Sequence, residues 1–167
     1  MIKKALLIIP CSYLLFTVLM LLYYTTLGID EARFSGLLDI IPATICLTII
    51  LATLVVNVLI LLNLNSIRRK WIFINLLICL LQSIHILING FQFRYVQGYE
   101  LVTFINFNGI EDKLTLGWYY YPARLNFILQ FIHYKNSAIA LNLIYVVLSL
   151  VFFLIWRHMK PEEKVLV

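Results

Sequence analysis

The sequence predicts an all-α integral membrane protein with four transmembrane helices and both termini in the cytoplasm. Three observations carry that prediction. The 167 residues are 63% hydrophobic and only 13% charged, with a mean hydropathy of +0.96, whereas an ordinary soluble domain is roughly half apolar and a quarter charged. The apolar residues gather into four runs, 5–24, 40–64, 71–90 and 137–156, each close to the ~20 residues that cross a hydrocarbon core of about 30 Å. Lysine and arginine are distributed unevenly between the connections, which sets an orientation. A single four-span domain covering residues 1–167 follows.

The first run opens with Lys3 and Lys4 and continues apolar to Tyr24. Its length exceeds a signal-peptide core, and Thr25-Thr26-Leu27-Gly28 makes a poor cleavage site, so a retained first span is expected. Residues 25–39 form a short, net acidic connection with Asp30, Glu31, Arg33 and Asp39. The second run has no charged residue. Pro42 falls in its first turn, where a missing N–H costs nothing. Thr44, Thr48 and Ala52 make a strip of small side chains that would let another helix approach closely.

Residues 65–70 then make a tight basic turn, and Trp71 marks an interface. Within the third run the polar residues are Asn75, Cys79, Gln82, Ser83, His85 and Asn89. On a helix Asn75, Gln82 and Asn89 fall within about 40° of one another. Lipid offers amides no partner, so this half is expected to face protein or water. In the last run Asn142, Tyr145, Ser149 and Trp156 share a side, and amide bonds between the two polar faces are the expected consequence.

The segment from 91 to 136 is expected to be an outer loop. Its β-branched and aromatic residues up to Phe107, followed by Asn108-Gly109, predict a small β-hairpin. From Pro122, the polar strip of Asn126, Gln130 and His133 predicts an interfacial helix. Arg94, Trp118 and Arg124 lie around this aromatic belt and are candidate interfacial or partner contacts.

Orientation follows from counting. The termini and the Arg68-Arg69-Lys70 turn together carry eight basic and two acidic residues; the remaining connections carry five basic and six acidic ones. The bias puts the first group inside, which places the protein in a plasma membrane, of bacterial inner-membrane type. The formal charge of +5 is spread over this topology rather than gathered on one face, which argues against nucleic-acid binding.

Little in the residues points to chemistry. Cys11, Cys46 and Cys79 lie singly inside apolar runs, without the pairing that disulfides or metal sites need. His85 is the one titratable side chain within a predicted span, where such a residue is a functional candidate. No carboxylate or cation accompanies it there, and a neutral ring bonded to a neighbour accounts for it. His133 and His158 fall on opposite sides of the membrane, and so do not provide the two histidines at matching depth that a bis-histidine haem site needs. Glu100, Glu111 and Asp112 read as solvated loop charges, since nothing places a nucleophile beside them. Phosphate loops and hydrolase motifs are absent. No catalytic residue, metal or cofactor is therefore expected.

The loop layout is similar to that of tetraspanins, but the cysteines of that family's large loop are missing. Thiol-oxidising four-helix proteins are excluded on the same ground. Four spans with internal termini resemble the immunity proteins that guard bacteria against pore-forming colicins, in topology and size only. The expected function is a non-catalytic accessory protein that docks onto a membrane-protein partner or onto itself, with the lipid bilayer as its medium. A small transporter or channel subunit is the alternative, with Asn75, Gln82, His85, Asn89 and Asn142 lining a path. An immunity-type protein is another. Asn75, Gln82, His85, Asn89, Asn142 and Ser149 are the candidate helix-packing or ligand-facing residues.

Overall fold

The structure, a computed structural model, describes residues 2–26, 40–89, 91–108, 113–131 and 136–159. The fold is mixed. In chain order the elements are α1 (Ile2–Thr26), α2 (Ile40–Leu62), α3 (Arg69–Ser83), β1 (Ile84–Ile88), β2 (Phe91–Asn108), β3 (Lys113–Phe131), β4 (Asn136–Asn142) and α4 (Leu143–His158). The acidic connection 27–39, the loop charges Glu111 and Asp112, His133 and the tail after Met159 lie outside the described residues.

This overturns the all-α, four-span expectation and the multi-pass membrane placement that came with it. Among the described residues one stretch of helix, Thr44–Leu62 in α2, is long and apolar enough to cross a membrane. The apolar helical stretches Leu6–Met20 and Leu143–His158 are shorter. Without four helical crossings, the count of charges on alternating sides no longer fixes an orientation.

Two local switches explain the error. In the third run α3 stops at Ser83, whose hydroxyl donates to the Leu80 carbonyl at 2.7 Å and so competes with the helical ladder. Ile84, Ile86 and Ile88 follow at a spacing of two, the β-branched pattern of a strand. Ile84 is already extended, at φ −118 and ψ 127. In the last run Asn142 breaks the apolar stretch. It is extended and caps α4, its Oδ1 accepting from Ile144 N at 3.3 Å. Asparagine at a helix start satisfies an orphan N–H, so residues 136–142 become a strand instead of a first helical turn.

The expected outer loop is the body of an antiparallel sheet. β2 and β3 form a ribbon paired from Phe91↔Phe131 to Asn108↔Lys113, far longer than the small hairpin predicted. β3 runs through the stretch predicted as an interfacial helix. Pro122 sits in β3 where the register shifts by one between Gly98 and Glu100, a position suited to a residue with no N–H. The sheet order is β1-β4-β2-β3, which leaves β3 at an edge.

β2 bends at Gly98, whose φ is 117. Before the bend β2 pairs with β1, from Ile86↔Phe93 to Ile88↔Phe91. After it, β2 pairs with β4, from Val102↔Asn142 to Asn108↔Asn136. β1 and β4 also pair, from Ile84↔Leu141 to Leu87↔Ala138, so the three strands close on one another around the bend.

The main core lies between the helices, where Leu7, Cys11, Leu14, Val56, Ile60, Ile72, Leu76, Cys79, Tyr145 and Phe152 pack together. A smaller cluster joins Cys46, Ile49 and Ile50 of α2 to Phe93 and Tyr95 of β2. The outward faces of the helices are also apolar. Leu47, Leu51, Val55, Val58 and Leu62 form one exposed stripe along α2, and α1, α3 and α4 expose Ile9, Leu77 and Val147 among others.

A buried polar seam at the bend of β2

The sequence places unusually many polar side chains inside this molecule. Asn57, Asn75, Gln82, His85, Gln97, Glu100 and Asn142 are all buried. A buried amide or carboxylate without a partner costs roughly 1–3 kcal/mol or more; among the described residues the amide nitrogens of Gln82 and Gln97 carry that cost.

Asn75 of α3 faces Asn57 of α2. Their amides exchange bonds, Nδ2 of Asn57 donating to Oδ1 of Asn75 at 3.2 Å and Nδ2 of Asn75 returning one at 2.9 Å. Asn57 also donates to the Thr53 carbonyl at 2.7 Å. This pair fixes the register of α2 against α3.

The other residues meet where β2 bends. Gln82, at the end of α3, accepts from the backbone N–H of Gln97 at 2.8 Å. The Tyr145 hydroxyl of α4 donates to the Gln97 carbonyl, and the Tyr95 hydroxyl donates to Gln97 Oε1 at 2.8 Å. Asn142 reaches the far side of the bend, accepting from Leu101 N and donating to the Tyr99 carbonyl, both at 3.4 Å. Backbone groups freed by the bend are thus taken up by α3, α4 and the end of β4, as buried backbone requires. Gly98 itself lies against Thr17 of α1 and Tyr145.

Beside the bend sits a charged cluster. Both carboxylate oxygens of Glu100 lie 2.8 Å from Nη2 of Arg94, and His85 Nε2 is 3.8 Å from Glu100 Oε1. Glu100 is completely buried. An ionised carboxylate is tolerated in such a place only when paired and hydrogen-bonded.

Of the candidates named from the sequence, Gln82, His85 and Asn142 converge on this bend. Asn75 belongs to the separate Asn57 pair. Ser149 donates to the Tyr145 carbonyl of its own helix at 2.7 Å. Asn89 is exposed in the turn after β1, with φ 48, a left-handed conformation that asparagine adopts more readily than most residues. Arg94 lies at the seam, in contact with Glu100. Trp118 stands on the outer face of the sheet, 73% exposed. Arg124 pairs with Gly98 in the β2–β3 register. The amides of the third and last runs therefore do not bond one another: Asn75 uses α2, and Gln82 and Asn142 use β2.

Glu100, Tyr95 and Gln97 carry much of the seam and were not among the candidates. Glu100 reads as a loop charge in the sequence, yet a lone acid in a β-branched, aromatic stretch six residues after an arginine is the signal that could have found it.

Burial pushes the Tyr95 hydroxyl well above its ordinary value of 10.0, which keeps it protonated and donating to Gln97. A group whose folded pKa is raised stabilises the fold fully below its unfolded pKa, and that stability is lost as pH rises beyond it. Unfolding in detergent solution is therefore expected to become easier above about pH 10. Tyr95→Phe is expected to flatten that slope, and a denaturant titration from pH 8 to 11 measures both.

On the opposite, outer face the sheet presents Ile105, Leu116, Ile139 and Leu141 around a shallow apolar groove of about 330 Å3. Among the described residues no cluster of three or more histidine, cysteine or acidic side chains is placed to hold a metal ion. No protein-family model, curated protein or solved structure matches the chain.

Proposed function

We propose that the chain is a non-catalytic docking protein that works on lipid, anchored through α2. One observation supports this above the others: the helical layer is polar within and apolar without. Asn57, Asn75, Gln82 and Asn142 are fully buried, while Leu51, Val55 and Leu62 of α2, Leu77 of α3 and Leu150 of α4 are each more than two-fifths exposed. In water the opposite distribution is favoured, each buried CH₂ contributing about 0.8 kcal/mol. In hydrocarbon, amides gather inside and aliphatic side chains cover the outside.

The seam suits a scaffold better than a reaction centre, because the bonds made by Gln82 Oε1, Asn142 and Arg94 Nη2 all go to protein groups around the bend, while Gln82 Nε2, Gln97 Nε2 and Arg94 Nε are buried without a partner among the described residues. The outer face of the sheet offers the docking surface. Leu114, Leu116 and Trp118 of β3 are each more than three-fifths exposed there, and exposed aromatics beside aliphatics are characteristic of protein contacts.

The test is flotation of the full chain with phosphatidylcholine vesicles after detergent removal. The protein is expected to rise with the vesicles, and bromine on the acyl chains is expected to quench its tryptophan fluorescence. Leu51→Lys and Val55→Lys each place a charge at the middle of α2, which costs about 2.5–3.5 kcal/mol in lipid. The double variant is expected to lose most of the floated fraction. A chain that stays monodisperse in detergent-free buffer and sediments away from vesicles would sink the lipid reading. Docking is tested separately by crosslinking before solubilisation: Trp118→Ala together with Leu116→Ala is expected to abolish a specific crosslinked product.

A further inference from the structure

We infer that one end of the helical layer is a binding surface for anionic phospholipid headgroups. The up-and-down course of the helices brings together the start of α1, the turn after α2, the start of α3 and the end of α4. Contacts record this juxtaposition. Lys4 of α1 donates to Oδ1 of Asn65 in the turn. Arg69 of α3 donates to the Trp156 carbonyl of α4 at 3.3 Å, and its guanidinium lies 4.2 Å from the centre of the Trp156 ring. Lys70 lies 4.8 Å from the Trp71 ring. Arg68, Lys70 and Arg157 are exposed around these contacts.

Among the described residues no carboxylate balances this charge. Glu100 is the one carboxylate among the described residues, and it is buried at the seam against Arg94. Neither α1 nor α3 has an acidic residue in its first turn, where the helix dipole favours negative charge and disfavours the lysine and arginine present. Like charges gathered at one end repel one another, and an external anion lying among them relieves that repulsion.

The chemistry of that anion follows from the flanks. Trp71 and Trp156 are half-buried beside the cations, and exposed aliphatic side chains begin immediately behind them, with Leu62 of α2 the most exposed at 77%. Cations, then indoles, then hydrocarbon is the order of layers through the face of a bilayer. A phosphate free in water would match the cations alone; a phospholipid matches all three layers.

The inference rests on the lipid reading above, and the experiment separates the two. Full-length protein is floated with vesicles of pure phosphatidylcholine and with vesicles containing one-third phosphatidylglycerol, at low and high salt. Tighter binding to the anionic vesicles, weakened by salt, is the expected result. Each exposed cation is worth about a fivefold change in partitioning. Arg68→Gln, Lys70→Gln and Arg157→Gln together are thus expected to lower partitioning to the anionic vesicles on the order of a hundredfold, with little change on neutral ones. Equal binding of the unaltered chain to both vesicle types at low salt overturns the headgroup assignment and leaves the lipid reading standing. Binding to neither overturns both. The salt comparison uses no variant, so poor folding of the triple variant cannot rescue the inference.

Discussion

Replacing Arg94 by alanine is expected to destabilise the fold by about 3–5 kcal/mol, because it leaves the Glu100 carboxylate buried without its main partner. Both oxygens of Glu100 sit 2.8 Å from the guanidinium, and Glu100 has no exposure through which water could replace it. Glu100→Gln is expected to cost less, since a neutral amide is easier to bury than a carboxylate. Arg94→Leu with Glu100→Leu is expected to recover most of the loss, since removing both charges leaves neither unpaired. A denaturant-unfolding cycle over these variants measures the coupling. A cost for Arg94→Ala below about 1 kcal/mol would mean that the pair behaves like an exposed surface bridge.

Gly98→Ala is expected to cost a comparable amount, about 3–5 kcal/mol, from two sources that can be separated. A side chain at φ 117 is strained by roughly 1–3 kcal/mol whatever surrounds it. The added Cβ would also lie 2.6 Å from Thr17 Cγ2 and 2.9 Å from the Tyr145 hydroxyl, and overpacking of this kind adds about 1–3 kcal/mol. Thr17→Ser removes the nearer methyl while keeping the hydroxyl that donates to the Leu14 carbonyl. Combined with Gly98→Ala it is expected to restore about 1 kcal/mol and no more, because the backbone strain remains. Thermal unfolding of the single and double variants decides the matter.

The helices α1 and α2 were legible from composition and run length alone, because an unbroken apolar stretch of that size has few alternatives. The other half of the fold was not. A window of twenty apolar residues treats Gln82-Ser83-Ile84 as more of the same helix, although the spacing of two through Ile84, Ile86 and Ile88 is the signal of a strand. Asn142 stands out in the sequence by its polarity, whereas its position before an apolar run, where it caps α4, is the informative feature. Once those switches are missed, the sheet partners of β2 vanish, and the ribbon from Phe91 to Phe131 can only be read as loop. The seam suffered for the same reason. Gln82, His85 and Asn142 stand out as polar residues in apolar surroundings, but Glu100 acquires meaning only when β2 bends and brings it back to Arg94.

The closure of β1 upon β4 has a consequence for synthesis of the chain. The β2–β3 ribbon pairs two strands that are consecutive in sequence and can zip early. β1 must wait, its second partner lying on the far side of that whole ribbon. Until residues 136–142 emerge, the half of β2 beyond Gly98 keeps one flank open, lined with unsatisfied amides among Val102, Ile105 and Phe107. An open flank of that composition recruits any neighbouring nascent chain. Premature termination between Phe131 and Asn136 would thus be more harmful to its host than loss of the entire second half, since the shorter fragment never builds the template.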